Sequence, residues 1–393
     1  MPGLPASLRA AGAICLNLRG GSLLIELPDG RSLAFGESDA PVHAHIIARD
    51  WRFARRALTD GDIGFAEGYM AGEWETPDLS ALLTLFSMNI ERTARLLKGN
   101  PVARITHLFR HWSRENTKTG SKKNIVAHYD LGNAFYERWL DATMTYSSAL
   151  FEAPGQNLEA AQLAKYRGIA DALELKPGDR VLEIGCGWGG FAEIAAREYG
   201  AHVTGLTLSN EQHDYAVARM ARQGLSDKVD IRLQDYRDVQ GPFDKVASIE
   251  MFEAVGERYW PVYFGKVSEV LRPGGRAALQ IITIADNLFE DYRKRADFIQ
   301  RYVFPGGMLA SEARLREETA RAGLGWDGAR AFGQDYAATL AEWGQRFRGA
   351  WGDIRTQGFD ERFKRLWQFY LSYCEAGFRT ERTDVIQLAL VKG

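Results

Sequence analysis

The chain has 393 residues, 46% of them hydrophobic and 25% charged, with a formal net charge of −2. This length suits two domains, and the composition is that of a protein with a sizeable core, which excludes a disordered or fibrous chain. The small net charge excludes a global field that would attract nucleic acid, so we expect no nucleic acid partner.

The cysteines and the hydropathy pattern exclude further classes of protein. Cys15, Cys186 and Cys374 are scattered without metal-ligand or disulfide spacing, so we expect no metal site and a reducing cytoplasm. Cys186 falls in a glycine-rich run and is expected to pack as a small apolar residue. No stretch of 18 apolar residues is present to span a membrane, so lipid contact is expected from the surface.

Residues 1–115 are predicted to form a small α+β domain that associates with lipid at the membrane. Residues 22–36 alternate apolar and polar side chains on both sides of Asp29-Gly30, which is the pattern of a β-hairpin. Residues 50–74 and 79–97 follow as predicted helices, with glycines in the first of them.

A basic stretch joins this region to the next. Residues 104–124 carry six lysines or arginines against one glutamate and end in a run rich in glycine, serine and lysine. Two interpretations stay open: a solvated linker, or a segment that lies on an anionic membrane surface. Just beyond it, His128 is expected to be structural, and Tyr129 and Asp130 to orient the linker.

Residues 116–393 are predicted to form an α/β domain, because apolar strands alternate with helices of a length typical of a mostly parallel sheet. Residues 191–200 and 209–225 are predicted helices, and Leu271–Gly275 is a predicted turn. Residues 286–345 break the rhythm and are expected to form a helical insertion or lid. The predicted strands are 181–184, 202–207, 229–233, 243–249, 276–284 and 384–392.

The run EIGCGWGG at 183–190 lies between a predicted strand and a predicted helix. Glycines there let the backbone turn sharply and approach a ligand, and the helix N-terminus faces that ligand with free N–H groups. With Glu183 on the preceding strand, the run resembles motif I of class I methyltransferases, which binds S-adenosylmethionine (SAM). A nicotinamide dehydrogenase is disfavoured, since the next strand ends in Leu206–Ser209 without an acid for a ribose.

Further stretches, in the same order along the chain, resemble the cyclopropane-fatty-acyl-phospholipid synthases and the related mycolic-acid methyltransferases. The resemblance implies a class I methyltransferase, Rossmann-like fold with a helical lid, placed on the inner face of the membrane, with a phospholipid bilayer as partner and a homodimer as a possible state. The stretches that carry it are Gly68–Trp74, Ile125–Gly132, Tyr146–Ala149, Gly205–Gln212, Gln234–Asp238, Phe252–Gly256, Tyr302–Gly306, Gln334–Tyr336 and Ile386–Gln387.

The resemblance also implies the roles of individual residues in the second domain. It implies that SAM is bound by the loop acid and glycines and by seven other polar and aromatic side chains. These residues are Tyr146, Ser147, Glu183, Gly185, Gly187, Gly189, Thr207, Gln212, Gln234, Asp235 and Tyr236.

Family members methylate a cis double bond in an acyl chain, which leaves a carbocation. In those that close a ring, a bicarbonate ion then removes a proton from the added methyl group. Of its usual holders, the Glu, the Tyr and the backbone contributor match Glu253, Tyr336 and Ile282 here. The Cys and His positions hold Ser148 and Gln280, and Ala254 stands where a second histidine is usual.

Glu250 stands where ring-forming members have glycine, three residues before Glu253. A carboxylate there would compete with bicarbonate and could itself remove a proton. If Glu250 and Glu253 are both buried, their mutual repulsion raises the pKa of one of them. We therefore expect bicarbonate to be weakly bound or absent, Glu250 or Glu253 to act as the base, and the product to be a methyl- or methylene-branched chain.

Four alternatives stay open beside that hypothesis. Glu250 faces solvent or caps a helix; the enzyme closes a cyclopropane ring; it methylates a soluble small molecule; or the chain is a non-catalytic lipid-binding module. A cation on the acyl chain also calls for aromatic neighbours. Residues 288–370 are rich in aromatic side chains, which serve either that purpose or an ordinary core.

Overall fold

The computed structural model describes residues 3–97 and 131–393. The basic stretch predicted at 104–124 and the residues His128, Tyr129 and Asp130 lie outside that range. The described residues divide into two compact units. One combines residues within 1–113 with Lys294–Arg301 and Trp351–Arg382, and the other contains residues within 114–293, Tyr302–Ala350 and Thr383–Gly393.

The elements before residue 98 are three helices and four strands: α1 (Ala6–Cys15), β1 (Gly21–Glu26), β2 (Ser32–Gly36), β3 (Val42–Ala48), α2 (Arg52–Met70), β4 (Trp74–Glu75) and α3 (Leu79–Leu97).

The elements from residue 131 to the middle of the second unit are α4 (Asn133–Tyr136), α5 (Leu158–Ala172), β5 (Arg180–Ile184), α6 (Gly190–Glu198), β6 (His202–Thr207), α7 (Asn210–Arg222), β7 (Val229–Leu233), β8 (Phe243–Ile249), α8 (Trp260–Val270) and β9 (Leu271–Ile284). Three short 3₁₀ turns lie among them, at Tyr236–Asp238, Phe252–Ala254 and Glu257–Tyr259. The remaining elements are α9 (Asp286–Tyr292), α10 (Phe298–Tyr302), α11 (Glu312–Arg321), β10 (Leu324–Ala331), α12 (Gly333–Gly349), α13 (Trp351–Arg355), α14 (Glu361–Arg379) and β11 (Thr383–Lys392).

The first unit contains a four-stranded sheet in the order β2-β1-β3-β4. The predicted hairpin is confirmed, because β1 and β2 pair antiparallel from Ser22↔Gly36 to Glu26↔Ser32 across the Asp29-Gly30 turn. The two predicted helices are confirmed as α2 and α3, and α2 is interrupted at Gly61, whose φ is +60°.

Helix α14 belongs to the first unit although it lies near the C-terminus of the chain. It packs against α2 and α3, and its Arg365 guanidinium donates to the Glu75 carboxylate at 2.9 Å. Ser80, at the start of α3, donates to the Glu375 carboxylate at 2.6 Å. The helical end of the chain therefore completes the N-terminal sheet and helices, an arrangement that the residue order alone does not indicate.

The second unit contains a seven-stranded sheet in the order β10-β11-β9-β8-β5-β6-β7. Strands β5 to β9 run parallel, and β11 is antiparallel to both of its neighbours. Side chains alternate between the two faces of β5, where Leu182 packs under α8 and Val181 under α5 and α6. Apolar layers therefore cover both faces, and the predicted mostly parallel α/β architecture is confirmed.

Two local predictions were wrong. The region 286–345 is not wholly helical, because Leu324–Ala331 forms edge strand β10 against β11. Only Leu324 of that strand is buried, so β11 supplies the pairing that its own sequence pattern does not indicate. The predicted turn at Leu271–Gly275 is an irregularity inside β9, since Leu271 already pairs with Phe243. No helix in the described part of the chain is long and apolar enough to cross a bilayer.

Candidate functional site

A pocket opens at the carboxyl ends of β5 and β6, beside the point where the chain crosses from β7 back to β8. Ligands of open α/β sheets bind at such a switch point, because the loops on either side of it diverge. The pocket is lined by the glycine loop, by the segment 144–147, and by residues that follow β6, β7 and β8.

The glycine loop has backbone angles that only glycine adopts without strain. Gly185, Gly187 and Gly189 have φ values of +83°, +52° and +82°. The Gly185 and Cys186 amides donate to the Leu206 carbonyl at 3.0 and 2.8 Å, which ties the loop to β6. A Cβ at Gly187 would meet no atom within 4 Å, so this glycine leaves room for a ligand at the start of α6.

Glu183 lies at the end of β5, buried in the pocket wall. Burial raises its pKa well above the usual value, while the Lys165 and Arg219 charges act in the opposite direction. Its Oε2 atom is buried and has no hydrogen-bond partner among the described residues. A ligand that carries hydrogen-bond donors would satisfy this oxygen, and SAM offers an ammonium group, hydroxyls and an adenine amino group. The pocket therefore fits the predicted cofactor.

The structure brings most of the predicted SAM-binding residues to this pocket. Gly189 and Asp235 do not line it: Gly189 directly precedes α6 and lies against Ala216 and Met220, and Asp235 pairs with Arg237 at 2.6 Å. The others do line it, namely Tyr146, Ser147, Glu183, Gly185, Gly187, Thr207, Gln212, Gln234 and Tyr236. Their roles in cofactor binding stay predictions.

The Thr207 hydroxyl is fixed by two neighbours. It donates to the Gln212 side-chain oxygen at 2.8 Å and accepts from the Ser209 amide at 3.1 Å. Ser209 begins α7 and accepts from the Gln212 amide, so Gln212 is held in the first turn of a capped helix. This rigid corner presents polar atoms at the end of β6 without a mobile side chain.

Glu250 holds its carboxylate at the centre of the predicted catalytic group. Oε1 accepts from the Ser148 amide at 2.8 Å and from the Gln280 side-chain amide at 2.7 Å. Oε2 accepts from the Tyr336 hydroxyl at 2.6 Å. Burial raises the pKa of Glu250, while the Lys165 charge and these three donors lower it. The alternative in which Glu250 faces solvent is wrong.

Gln280 is oriented by a second glutamine on the neighbouring strand. Gln280 on β9 and Gln387 on β11 are register partners, and the Gln387 amide donates to Gln280 Oε1 at 3.1 Å. Because its oxygen is occupied in this way, Gln280 turns its N–H group toward Glu250. Gln387 also donates to the Lys165 carbonyl at 3.0 Å, so helix α5 fixes the same group.

Glu253 occupies a different electrostatic environment from Glu250. Its Oε1 accepts from the Ile282 amide at 2.5 Å, while its Oε2 is buried without a partner among the described residues. Burial, followed by the Glu250 charge, raises the pKa of Glu253 to about 8. Near neutral pH Glu253 is therefore mostly the neutral acid, whereas Lys165 and the three donors to Glu250 oppose the effect of burial on its pKa and favour its anion.

Ser148 contributes its backbone and not its side chain. Its hydroxyl donates to the Ala149 carbonyl at 2.9 Å, away from the Glu250 carboxylate that its own amide contacts. The structure thus brings all six predicted catalytic residues together, although none of their catalytic roles is tested. They are Ser148, Glu250, Glu253, Gln280, Ile282 and Tyr336.

An aromatic wall of five rings, Tyr136, Trp139, Tyr146, Tyr336 and Trp343, includes Tyr146, which lines the SAM pocket together with Glu250. Tyr146 has ring centroids of Tyr136, Trp139 and Trp343 at 5.4, 5.6 and 5.3 Å. Trp343 in turn meets Tyr336, the partner of Glu250, at 6.2 Å. The electron-rich ring faces were expected from residues 288–370, but three of the five rings of this aromatic wall come from the segment before the glycine loop.

Lys165 is the residue of the site that the sequence analysis missed. It is fully buried in α5 and donates to the Ser147 hydroxyl at 2.5 Å. A signal existed, because Lys165 is spaced four residues from both Ala161 and Ile169, which are core positions of the helix. A lysine on the buried stripe of an amphipathic helix indicates a special environment.

Comparison with known proteins agrees with this geometry. Residues 116–388 match the family described as mycolic acid cyclopropane synthetase. The chain is 40% identical over 371 residues to the tuberculostearic acid methyltransferase of Mycobacterium tuberculosis, covering 91% of this chain and 86% of that protein. It is 35% identical over 363 residues to the cyclopropane-fatty-acyl-phospholipid synthase of Escherichia coli K12, covering 89% and 88%.

A solved structure extends the match to the fold and the cofactor. The mycolic acid cyclopropane synthase CmaA1, complexed with S-adenosylhomocysteine, superposes with a TM-score of 0.65 at 29% identity, covering 69% of this chain and 98% of that one. The predicted class I methyltransferase fold and the predicted cofactor SAM are confirmed. The alternative of a non-catalytic lipid-binding module is set aside, because the chain belongs to the mycolic acid cyclopropane synthetase family of SAM-dependent methyltransferases.

Proposed function

We propose that this enzyme methylates the cis double bond of an unsaturated acyl chain in a membrane phospholipid and releases a methyl- or methylene-branched chain. The observation that carries the proposal is the Glu250 carboxylate, which lines the SAM pocket and is held by three donors. Support for the acyl substrate comes from the two relatives, one named for tuberculostearic acid and the other for a fatty-acyl phospholipid.

The main tasks of the protein follow methyl transfer, when the positive charge on the acyl chain must be stabilised and a proton must be removed. SAM, when bound, supplies an electrophilic methyl group to the alkene, which leaves a positive charge on the adjacent chain carbon. The aromatic wall around Tyr146 stabilises that charge through its ring faces. A base must then remove one proton, and the electrons of that C–H bond form the new double bond.

Glu250 is the better base of the two carboxylates. The Ser148 amide, the Gln280 amide and the Tyr336 hydroxyl all stabilise its anion, whereas Glu253 is mostly protonated near neutral pH. The Glu250 carboxylate also occupies donors that a bound bicarbonate would need. Two anions cannot share three donors in a buried site without strong repulsion, so we infer that bicarbonate has no role here.

The product of these steps keeps one double bond. Methyl transfer followed by proton loss neither adds nor removes electrons, so the branched chain leaves as an alkene. Proton loss from a chain carbon shifts the double bond beside a methyl branch. A hydride shift along the chain followed by proton loss from the methyl group gives a methylene branch.

The decisive experiment is product analysis with SAM whose methyl group is fully deuterated. The enzyme is incubated with vesicles of a monounsaturated phosphatidylglycerol, and the acyl chains are examined by mass spectrometry and proton NMR. We expect a branched alkene, with three deuteriums for a methyl branch or two for a methylene branch. A cyclopropane ring, visible by its high-field ring protons, would overturn the branching proposal and support ring closure instead.

The membrane surface is part of the same proposal. Residues 1–115 are proposed to form the lipid-associated domain and 116–393 the catalytic domain. The enzyme is proposed to lie peripherally on the inner membrane face, with a homodimer as its proposed state. Co-sedimentation with the phosphatidylglycerol vesicles tests lipid association, and light scattering tests the dimer. An enzyme that stays in the supernatant and methylates only a water-soluble alkene would favour the soluble-substrate alternative.

A further inference from the structure

Lys165 is a buried cation that the proposed chemistry does not yet use. Its side chain is 0% exposed, and its ammonium group donates to the Ser147 hydroxyl at 2.5 Å. The same group lies 4.3 Å from the centroid of the Tyr166 ring. Removing an ammonium group from water costs several kcal/mol, so a buried lysine needs strong compensation from its surroundings.

That compensation comes from the negative charges around it. Burial lowers the pKa of Lys165 to about 7, while Glu250, then Asp141, then Glu183 raise it. In return, Lys165 is the first of the influences that lower the pKa of Glu250 and of Glu183. The Lys165 cation therefore favours the ionised form of both carboxylates, the proposed base Glu250 and the pocket acid Glu183.

Helix α5 also fixes the backbone that carries a donor to Glu250. Lys165 holds the Ser147 hydroxyl, and Gln162, one turn earlier, donates to the Ser147 carbonyl at 2.9 Å. The next residue is Ser148, whose amide donates to Glu250 at 2.8 Å. Ser147 itself lines the SAM pocket. Because one peptide bond joins Ser147 to Ser148, a displacement of the Lys165 ammonium would move both a residue of the SAM pocket and a donor to the base.

We propose that Lys165 is a positioning residue that couples the SAM pocket to the base, its hydrogen bond fixing Ser147 beside the cofactor and its charge favouring the ionised form of Glu250. The proposal rests on the proposed function of Glu250 as the base. The two effects depend on different properties of the same side chain. Fixing Ser147 needs a hydrogen-bond donor, whereas ionising Glu250 needs a positive charge.

The charge effect has a definite sign with pH. Loss of the cation raises the pKa of Glu250, so the base is protonated over a wider range and the acid limb of the kcat profile moves upward. An opposite charge nearby changes a carboxyl pKa by about 1 to 3 units, so we expect a shift of about one pH unit. The other groups that face Lys165 or its carboxylate partners also contribute to the profile: Asp141, Tyr166, Glu183, Arg219, Glu253 and Tyr336.

The test uses two substitutions that separate the two properties. Lys165→Met removes the donor and the charge, and Lys165→Gln removes only the charge. Both are expected to lower kcat about tenfold at pH 6 and much less at pH 9, because Lys165, with a pKa of about 7, has lost most of its own charge there. Calorimetric titration with SAM is expected to show weaker binding for Lys165→Met and near wild-type binding for Lys165→Gln.

A matched control is Lys245→Met. Lys245 is also buried, but its ammonium donates to the Leu173 carbonyl at 2.6 Å and contacts no residue of the site. We expect this variant to keep the pH profile and the SAM affinity of the wild type. If a folded Lys165→Met enzyme loses the same factor in kcat at pH 6 and pH 9, or loses none, the inference is wrong.

The proposed base is checked separately with Glu250→Gln. An active Glu250→Gln enzyme would refute the proposed function, and the SAM titrations would still show whether Lys165 fixes Ser147. An inactive Glu250→Gln enzyme together with an unshifted profile in both Lys165 variants would refute the present inference alone. The two failures are therefore distinguishable.

Discussion

The hydroxyl of Tyr336, a residue of helix α12, donates a 2.6 Å hydrogen bond to Oε2 of Glu250. The other carboxylate oxygen already has two donors, from Ser148 and Gln280. Tyr336 also packs against Trp343 of the aromatic wall. One residue thus links the proposed base to the aromatic wall.

Replacing Tyr336 by phenylalanine removes the hydroxyl and keeps the ring. Because a donor to the anion is lost, the pKa of Glu250 rises, and we expect kcat at pH 7 to fall about tenfold with the acid limb displaced upward. The measurement is a pH profile of methyl transfer to vesicles. Tyr199→Phe, whose hydroxyl donates to Asp171 at 3.2 Å and does not line the pocket, is the control and should leave the profile unchanged.

The two carboxylates of the site are expected to differ sharply in their response to amide substitution. Glu250→Gln removes the proposed base, and loss of a general base lowers the rate by about 10² to 10⁴-fold. Glu253→Gln replaces a mostly neutral acid by a neutral amide that still accepts from the Ile282 amide, so kcat at pH 7 should fall less than about threefold. Turnover with saturating SAM measures both. The reverse order of effects would identify Glu253 as the base.

Glu253 also makes stability depend on pH. Its pKa is about 8 in the folded chain and near the ordinary value of 4.5 when unfolded, so the folded state binds the extra proton between those values. Stability is therefore highest below about pH 4.5 as far as this group is concerned, and is lost as pH rises towards 8. We expect the Tm of Glu253→Gln minus that of the wild type to increase from pH 5 to pH 8 and then level off. A difference that stays constant over this range would show that the carboxyl is ionised throughout.

The parallel part of the sheet could be predicted because each strand is an apolar run with its own boundaries. Strands β6, β7 and β8 begin and end at the predicted residues. Edge strand β10 could not, since seven of its eight residues have exposed or half-buried side chains and only the pairing with β11 makes it a strand. The packing of helix α14 could not be predicted either, because its partners α2 and α3 lie almost 300 residues earlier in the chain.

The site residues likewise divide into those that a short stretch of sequence indicates and those whose positions depend on contacts between distant parts of the chain. The glycine loop and Glu250 could be recognised from neighbouring residues, whereas the positions of Tyr336 and Gln280 came from the resemblance to a family. The contact from Gln387 to Gln280 depends on the register of two strands more than 100 residues apart. The position of Lys165 depends on how α5 packs below the pocket, which no short motif encodes.

The glycines of the loop are expected to fail in different ways when replaced by alanine. A Cβ at Gly185 would lie 2.7 Å from Met251 Cγ, so Gly185→Ala should lower the Tm as well as activity. A Cβ at Gly187 meets no protein atom within 4 Å and points to open space in the pocket lining, so Gly187→Ala should mainly weaken SAM binding. Both positions have positive φ, which adds a smaller and similar strain to each. Thermal unfolding and SAM titration separate the two effects, and equal losses of Tm would contradict this assignment.

Glu250→Gly tests whether the carboxylate replaces bicarbonate. Glu250 has a φ of +49°, a region that favours glycine, so the substitution relieves backbone strain, although it also leaves the buried Lys165 cation without its strongest anionic partner and lowers stability on that account. The freed donors from Ser148, Gln280 and Tyr336 then face an empty volume of carboxylate size. We expect turnover to be lost in bicarbonate-free buffer and partly restored by added bicarbonate, because a second anion no longer repels it. Glu250→Gln, which fills the same volume, should not be restored, and equal recovery of both variants would show that bicarbonate acts elsewhere.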